Sequence, residues 1–155
     1  MSENRTTWHH DGVRIVRHDR LDFNVPSWPG MRLGEAITRA TAGANKIWAG
    51  ASTIAPNAKT GPHHHGDVES VIYIVRGRAR MRWGDRLEFY ADAGPGDFIY
   101  VPPYVPHQEM NASKEEELVS VVFRNTDEPI VVKLPITPAE SPESVSWVDG
   151  NHPIE

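Results

Sequence analysis

Residues 78–91, Arg78-Ala79-Arg80-Met81-Arg82-Trp83-Gly84-Asp85-Arg86-Leu87-Glu88-Phe89-Tyr90-Ala91, carry the periodicity that sets the fold class. Ala79, Met81 and Trp83 alternate with three arginines, and successive side chains of a strand point to opposite faces. Leu87 and Phe89 resume the apolar face after Gly84-Asp85, which predicts two strands joined by a two-residue hairpin. Upstream, Val71-Ile72-Tyr73-Ile74-Val75 is apolar at every position, the pattern of a central strand covered on both faces. Further short β-branched and aromatic runs lie at 13–17, 36–41, 47–54, 68–75, 97–101, 118–124 and 130–134. Gly and Pro punctuate them, and no dozen-residue segment free of Gly and Pro keeps an i, i+3, i+4, i+7 apolar pattern. The expectation is an all-β protein with a closed or sandwiched core.

Composition narrows the function. The 155 residues carry 16 basic and 21 acidic side chains, a net charge of −5, which disfavours a nucleic-acid partner. Cysteine is absent, so disulfides, Cys-type zinc sites, iron–sulfur clusters and thiol nucleophiles are all ruled out. No apolar run approaches the roughly 18 residues of a membrane span, and residues 1–12 are too polar for a signal peptide. The chain thus reads as a soluble, cytoplasmic, single-domain protein with no membrane partner. Its 12 glycines and 13 prolines are more than average but short of a disordered composition. Residues 1–12 read as a polar tail, 13–134 as one β-barrel domain, and 135–155 as a Pro/Ser/Glu-rich extension. That extension has a small apolar patch at Val145, Trp147 and Val148.

Four of the eight histidines fall in two short stretches. In Gly61-Pro62-His63-His64-His65-Gly66-Asp67-Val68-Glu69, an extended backbone projects His63 and His65 from one face. A carboxylate four residues later completes a set able to hold a divalent metal with open positions. His64 lies between them on the opposite face. In the second stretch, residues 96–111, a strand ends in a turn stiffened by Pro102, Pro103 and Pro106 that presents His107.

These residues resemble the cupin superfamily. Gly96, Pro102, His107 and Asn111 stand at the spacing of its second motif, with Tyr104 where the family has glycine. His63, His65, Glu69 and Gly77 match its first motif, with seven residues between Glu69 and Gly77 instead of six. Counting back six from Gly77 reaches Ser70. Either a one-residue bulge points Glu69 inward or the acidic ligand is lost. The motif core spans about residues 50–125.

The resemblance implies a jelly-roll barrel, the double-stranded β-helix, holding one divalent metal ion per chain (Fe, Mn, Ni, Zn or Cu). Its ligands would be His63, His65, His107 and Glu69. Tyr104 and Gln108 flank His107 and are catalytic candidates; Tyr73, Met81 and Trp83 are candidate pocket residues. The implied function is a small metal-dependent enzyme, a dioxygenase or an isomerase, acting on a small polar metabolite that chelates the metal. The alternative is a non-catalytic cupin that binds a small ligand or metal as sensor or carrier. Homodimerisation follows from the same resemblance, with the runs 13–17 and 36–41 free to pair across a two-fold axis.

Overall fold

A computed structural model describes residues 8–145, and the fold is two facing β-sheets. The first sheet has the order β1-β2-β9-β4-β7, built from β1 (Met31–Ile37), β2 (Trp48–Ile54), β4 (Ser70–Arg76), β7 (Phe98–Val101) and β9 (Leu118–Arg124). The second has the order β10-β3-β8-β5-β6-β11. It comprises β3 (His63–His64), β5 (Ala79–Trp83), β6 (Phe89–Ala93), β8 (His107–Asn111), β10 (Val132–Lys133) and β11 (Glu143–Ser144). All pairings are antiparallel except β11 on β6. This is the expected jelly-roll architecture.

Alternation decides what faces the interior. Ile54, Ile72, Ile74, Leu118 and Val122 of the first sheet meet Ala79, Met81 and Ala93 of the second in one core. Asn111, the last residue of the second motif, closes this end: its amide donates to the carbonyls of Ile54 and Glu116. The opposite end of the same strands holds Trp48, Ser70 and Arg124 in the first sheet, side by side in register. In the second sheet it holds Trp83, His107 and His63, also in register. One end of the interior is therefore apolar and the other polar.

Several local expectations change. Residues 13–17 form no strand, and Val13 is almost fully exposed. The run at 36–41 divides between the end of β1 and a short helix, α1 (Arg39–Ala42), which Thr38 caps through its hydroxyl and Gly43 ends in the left-handed region at φ 72°. No N-terminal pair of strands is thus left to join across a two-fold axis. The β5–β6 connection takes five residues, since Trp83 pairs with Phe89. Leu87, fully buried at φ 50°, is held there by a backbone bond to Gly84, and Arg82 donates twice to its carbonyl.

Strand β4 is covered on one face only. Ser70, Ile72 and Ile74 point inward, while Val75 is half-exposed. Its outer side chains join Phe98, Tyr100 and Phe123 in an apolar outer surface. Of the arginine face of β5, Arg80 pairs with Asp92, while Arg82 also donates to the carbonyl of Ala139 and ties the C-terminal segment down. Trp147 and Val148 lie outside the described residues, as do residues 1–7; Val145 is half-buried.

Candidate metal centre

His63 starts β3, His65 follows it, and His107 starts β8 directly opposite His63 in the ladder. All three are buried, and their ligand nitrogens lie within 4.8 Å of one another. Ring centroids stand 4.4 Å apart for His63 and His107, 4.8 Å for His63 and His65, and 5.1 Å for His65 and His107.

Each ring is oriented by a backbone carbonyl. Nδ1 of His63 donates to Gly61 (2.7 Å), Nδ1 of His65 to Ile130 (2.6 Å) and Nδ1 of His107 to Val105 (2.9 Å). A carbonyl can only accept, so Nδ1 carries the proton and Nε2 keeps its lone pair. Burial disfavours the imidazolium, lowering the pKa of His63 and bringing His65 and His107 to about 3. The Arg124 charge pushes all three in the same direction. Three neutral imidazoles with fixed tautomers and converging lone pairs are a donor set that divalent Fe, Mn, Ni, Zn or Cu fits.

The structure does not bring Glu69 to this group. Glu69 is exposed, and its carboxylate accepts a 2.6 Å hydrogen bond from the Tyr100 hydroxyl on the outer face. The inward position belongs to Ser70, fully buried with an unpartnered hydroxyl. A bulge does interrupt β4, but between Ile74 and Arg76, downstream of Glu69. It absorbs the extra residue before Gly77 without turning Glu69 inward.

The other candidates divide by face. Met81 is in the core, and Trp83 pairs with His107, so both line the interior. Tyr73 faces outward against the Phe98 ring at 4.8 Å. Gln108 is buried on the opposite side of β8 from His107, with its amide donating to the Thr60 carbonyl. Tyr104 is exposed and sits at φ 62°, a conformation that explains glycine in the family pattern. Its backbone donates to Gly66, and its ring packs at 5.8 Å on His64, whose Nδ1 accepts from the Gly66 amide.

Four interior residues carried no signal in the sequence. Trp28 stacks 5.4 Å from His63, in space that Gly61 leaves open: a Cβ there would meet the indole at 2.8 Å. Glu109, two positions after His107 and so on the same face, is buried with one carboxyl oxygen unpartnered; burial pushes its pKa up to about 7 against the opposing pull of Arg124. Arg124 ends β9 with its guanidinium 4.7 Å over the Trp48 ring. Glu35 accepts a 2.6 Å bond from the Trp48 indole. Each looks ordinary in one dimension; strand register places Glu35, Glu109 and Arg124, and the loop before β1 places Trp28.

A family model described as a cupin domain matches residues 50–123. No curated protein matches the chain. Among solved structures, the polyketide cyclase RemF from Streptomyces resistomycificus superposes with a TM-score of 0.66 at 22% identity, covering 84% of this chain and 89% of that one. Oxalate decarboxylase from Bacillus subtilis, whose Mn(II) centres are the subject of one such structure, superposes with a TM-score of 0.62 at 24% identity. That alignment covers 74% of this chain and 31% of the decarboxylase, so the chain spans about a third of that relative's length. At these identities the likeness speaks for the fold. With its jelly-roll barrel and its three converging histidines, the chain carries a cupin domain over residues 50–123.

Proposed function

We propose that this protein is a metal-dependent enzyme of the isomerase or oxygenase kind, acting on a small polar metabolite that chelates the metal. The observation that carries the reading is the set of three buried, neutral imidazoles, each locked by a carbonyl so that its free nitrogen points to one place. A bound divalent ion would supply Lewis acidity toward a coordinated oxygen, or, if redox-active, a place for O2 beside the substrate. The chain's own residues do the rest. The carbonyls of Gly61, Ile130 and Val105 hold the rings in register. Trp28 stacks on His63 from one side, and Trp83, opposite His107 in the ladder, lines the other. Glu69 is absent from the group, which leaves the charge of a divalent ion uncompensated by the triad and favours strong polarisation of whatever oxygen binds.

Elemental analysis of the untagged protein beside His63→Ala and His107→Ala tests this. The expected result is a stoichiometric metal in the parent and its loss in both variants, followed by turnover of the metal-loaded protein on a panel of sugars, keto acids and catechols. A parent without metal that refuses added Fe(II), Mn(II), Ni(II), Zn(II) and Cu(II) would overturn the metal reading. Ligand binding without turnover across the panel would leave a sensor or carrier.

A further inference from the structure

Strand register aims the guanidinium of Arg124 into the polar end of the barrel. Arg124 closes β9 opposite Ser70 on one side and Trp48 on the other, and both of those side chains are buried. Its Nε is shut off from solvent and has no hydrogen-bond partner, and among the described residues Arg124 forms no ion pair. Enclosed guanidinium groups are normally held by a carboxylate, because leaving their donors unmade is costly. Two carboxyl groups are near enough to act on its charge, Glu35 and Glu109. Glu35 instead accepts from the Trp48 indole, and Glu109 has an unpartnered oxygen of its own. The Trp48 ring lies against the flat face of the guanidinium, a contact that does not occupy the unpartnered Nε. The same charge acts on His63, His65 and His107, which lie at the same end of the facing sheet.

We propose that Arg124 is a recognition residue for the carboxylate of a small organic acid, whose second oxygen donor (a hydroxyl, keto or further carboxylate group) is directed at the histidine triad. The fork of a guanidinium matches a carboxylate in two parallel hydrogen bonds, which a point charge or a neutral donor cannot reproduce. Neutral imidazoles leave a divalent ion at full charge, and a nearby guanidinium adds to it, so an anionic ligand lowers the net positive charge of the interior where a neutral one does not. The second contact rests on the metal reading above; the carboxylate contact does not.

The test is titration calorimetry with malonate, lactate and pyruvate against malonamide, lactamide and pyruvamide, on metal-stripped and on Zn(II)-loaded protein. Metal-stripped parent protein is expected to bind at least one acid about tenfold or more tighter than its amide, the scale of charge-assisted hydrogen bonds. Arg124→Gln is expected to abolish that preference while keeping zinc. Arg124→Lys, which keeps the charge and a similar volume, retains part of it and guards against a folding failure of the glutamine variant. Equal binding of every acid and its amide by the parent overturns the proposal, as does an undiminished preference in folded Arg124→Gln. Acid preference in metal-stripped protein that no metal strengthens would support the Arg124 contact and remove the metal contact. Tight zinc binding without acid preference would do the reverse.

Discussion

A neutral imidazole has one donor and one acceptor nitrogen, and in His63, His65 and His107 the donor is committed to a carbonyl. Removing any of these rings is expected to lower metal affinity by more than the ~10–100-fold that loss of an outer hydrogen-bond partner costs. Glu69→Gln is expected to leave it unchanged, because that carboxylate bonds Tyr100 on the outer face. Equilibrium dialysis with Zn(II) measures both. The same burial fixes a pH dependence in the metal-free protein. His65 and His107 titrate near 3 when folded and near 6.5 when unfolded, so between those values the unfolded chain binds more protons. Stability therefore falls on acidification through that window. Glu109 opposes this: it titrates near 7 folded and 4.5 unfolded, so its contribution is full below 4.5 and lost as the pH rises through 7. Two histidines against one glutamate leave a net loss on the order of 3 kcal/mol between pH 6.5 and 4.5. Below 4.5 only the histidines act, and the loss steepens. Thermal melts of stripped protein across this range check it, and replacing both histidines with glutamine should flatten the acid side.

At the scale of elements, tight turns set where side chains land. Gly77 joins β4 to β5 at φ 89°, and a Cβ there would lie 2.5 Å from the Glu117 carbonyl. Gly77→Ala is expected to cost about 1–3 kcal/mol in chemical denaturation, since both the backbone region and the space exclude a side chain. The motif glycine was legible in the sequence for this reason: the conformation requires it. The bulge before it was legible only as one extra residue in the spacing, and its place at Ile74–Arg76 was not, because a bulge is an agreement between two strands about register. That is also why Glu69 read as a ligand. Its distance from His65 fits an inward carboxylate, and only the pairing of β4 with β9 shows that Ser70 holds the inward position.

Across the whole molecule, the sheets share one core with an apolar and a polar end. Leu118, fully buried at the apolar end, should cost about 2–5 kcal/mol when cut to alanine, measured by urea unfolding, with zinc affinity retained. Residues 139–145 belong to the second sheet rather than trailing from it. Their backbone bonds Arg86, Glu88 and Tyr90 through Ala139, Glu143 and Val145, and Arg82 anchors them from the sheet side. Truncation after Leu134 is expected to lower the melting temperature and promote aggregation, because it bares the edge of β6, while metal binding persists.

The amino-acid sequence alone determined the all-β class, the approximate positions of most strands, the absence of thiol chemistry and the three histidines. Each rests on local information: alternation, turn residues, or a residue type at a fixed spacing. Tertiary structure decided the rest. It turned Glu69, Tyr73, Tyr104 and Gln108 away from the interior, and brought Trp28, Glu109 and Arg124 into it. The physical reason is the two-residue period of a strand. A one-residue shift in register exchanges inside for outside, and register is settled between strands that lie far apart in the chain.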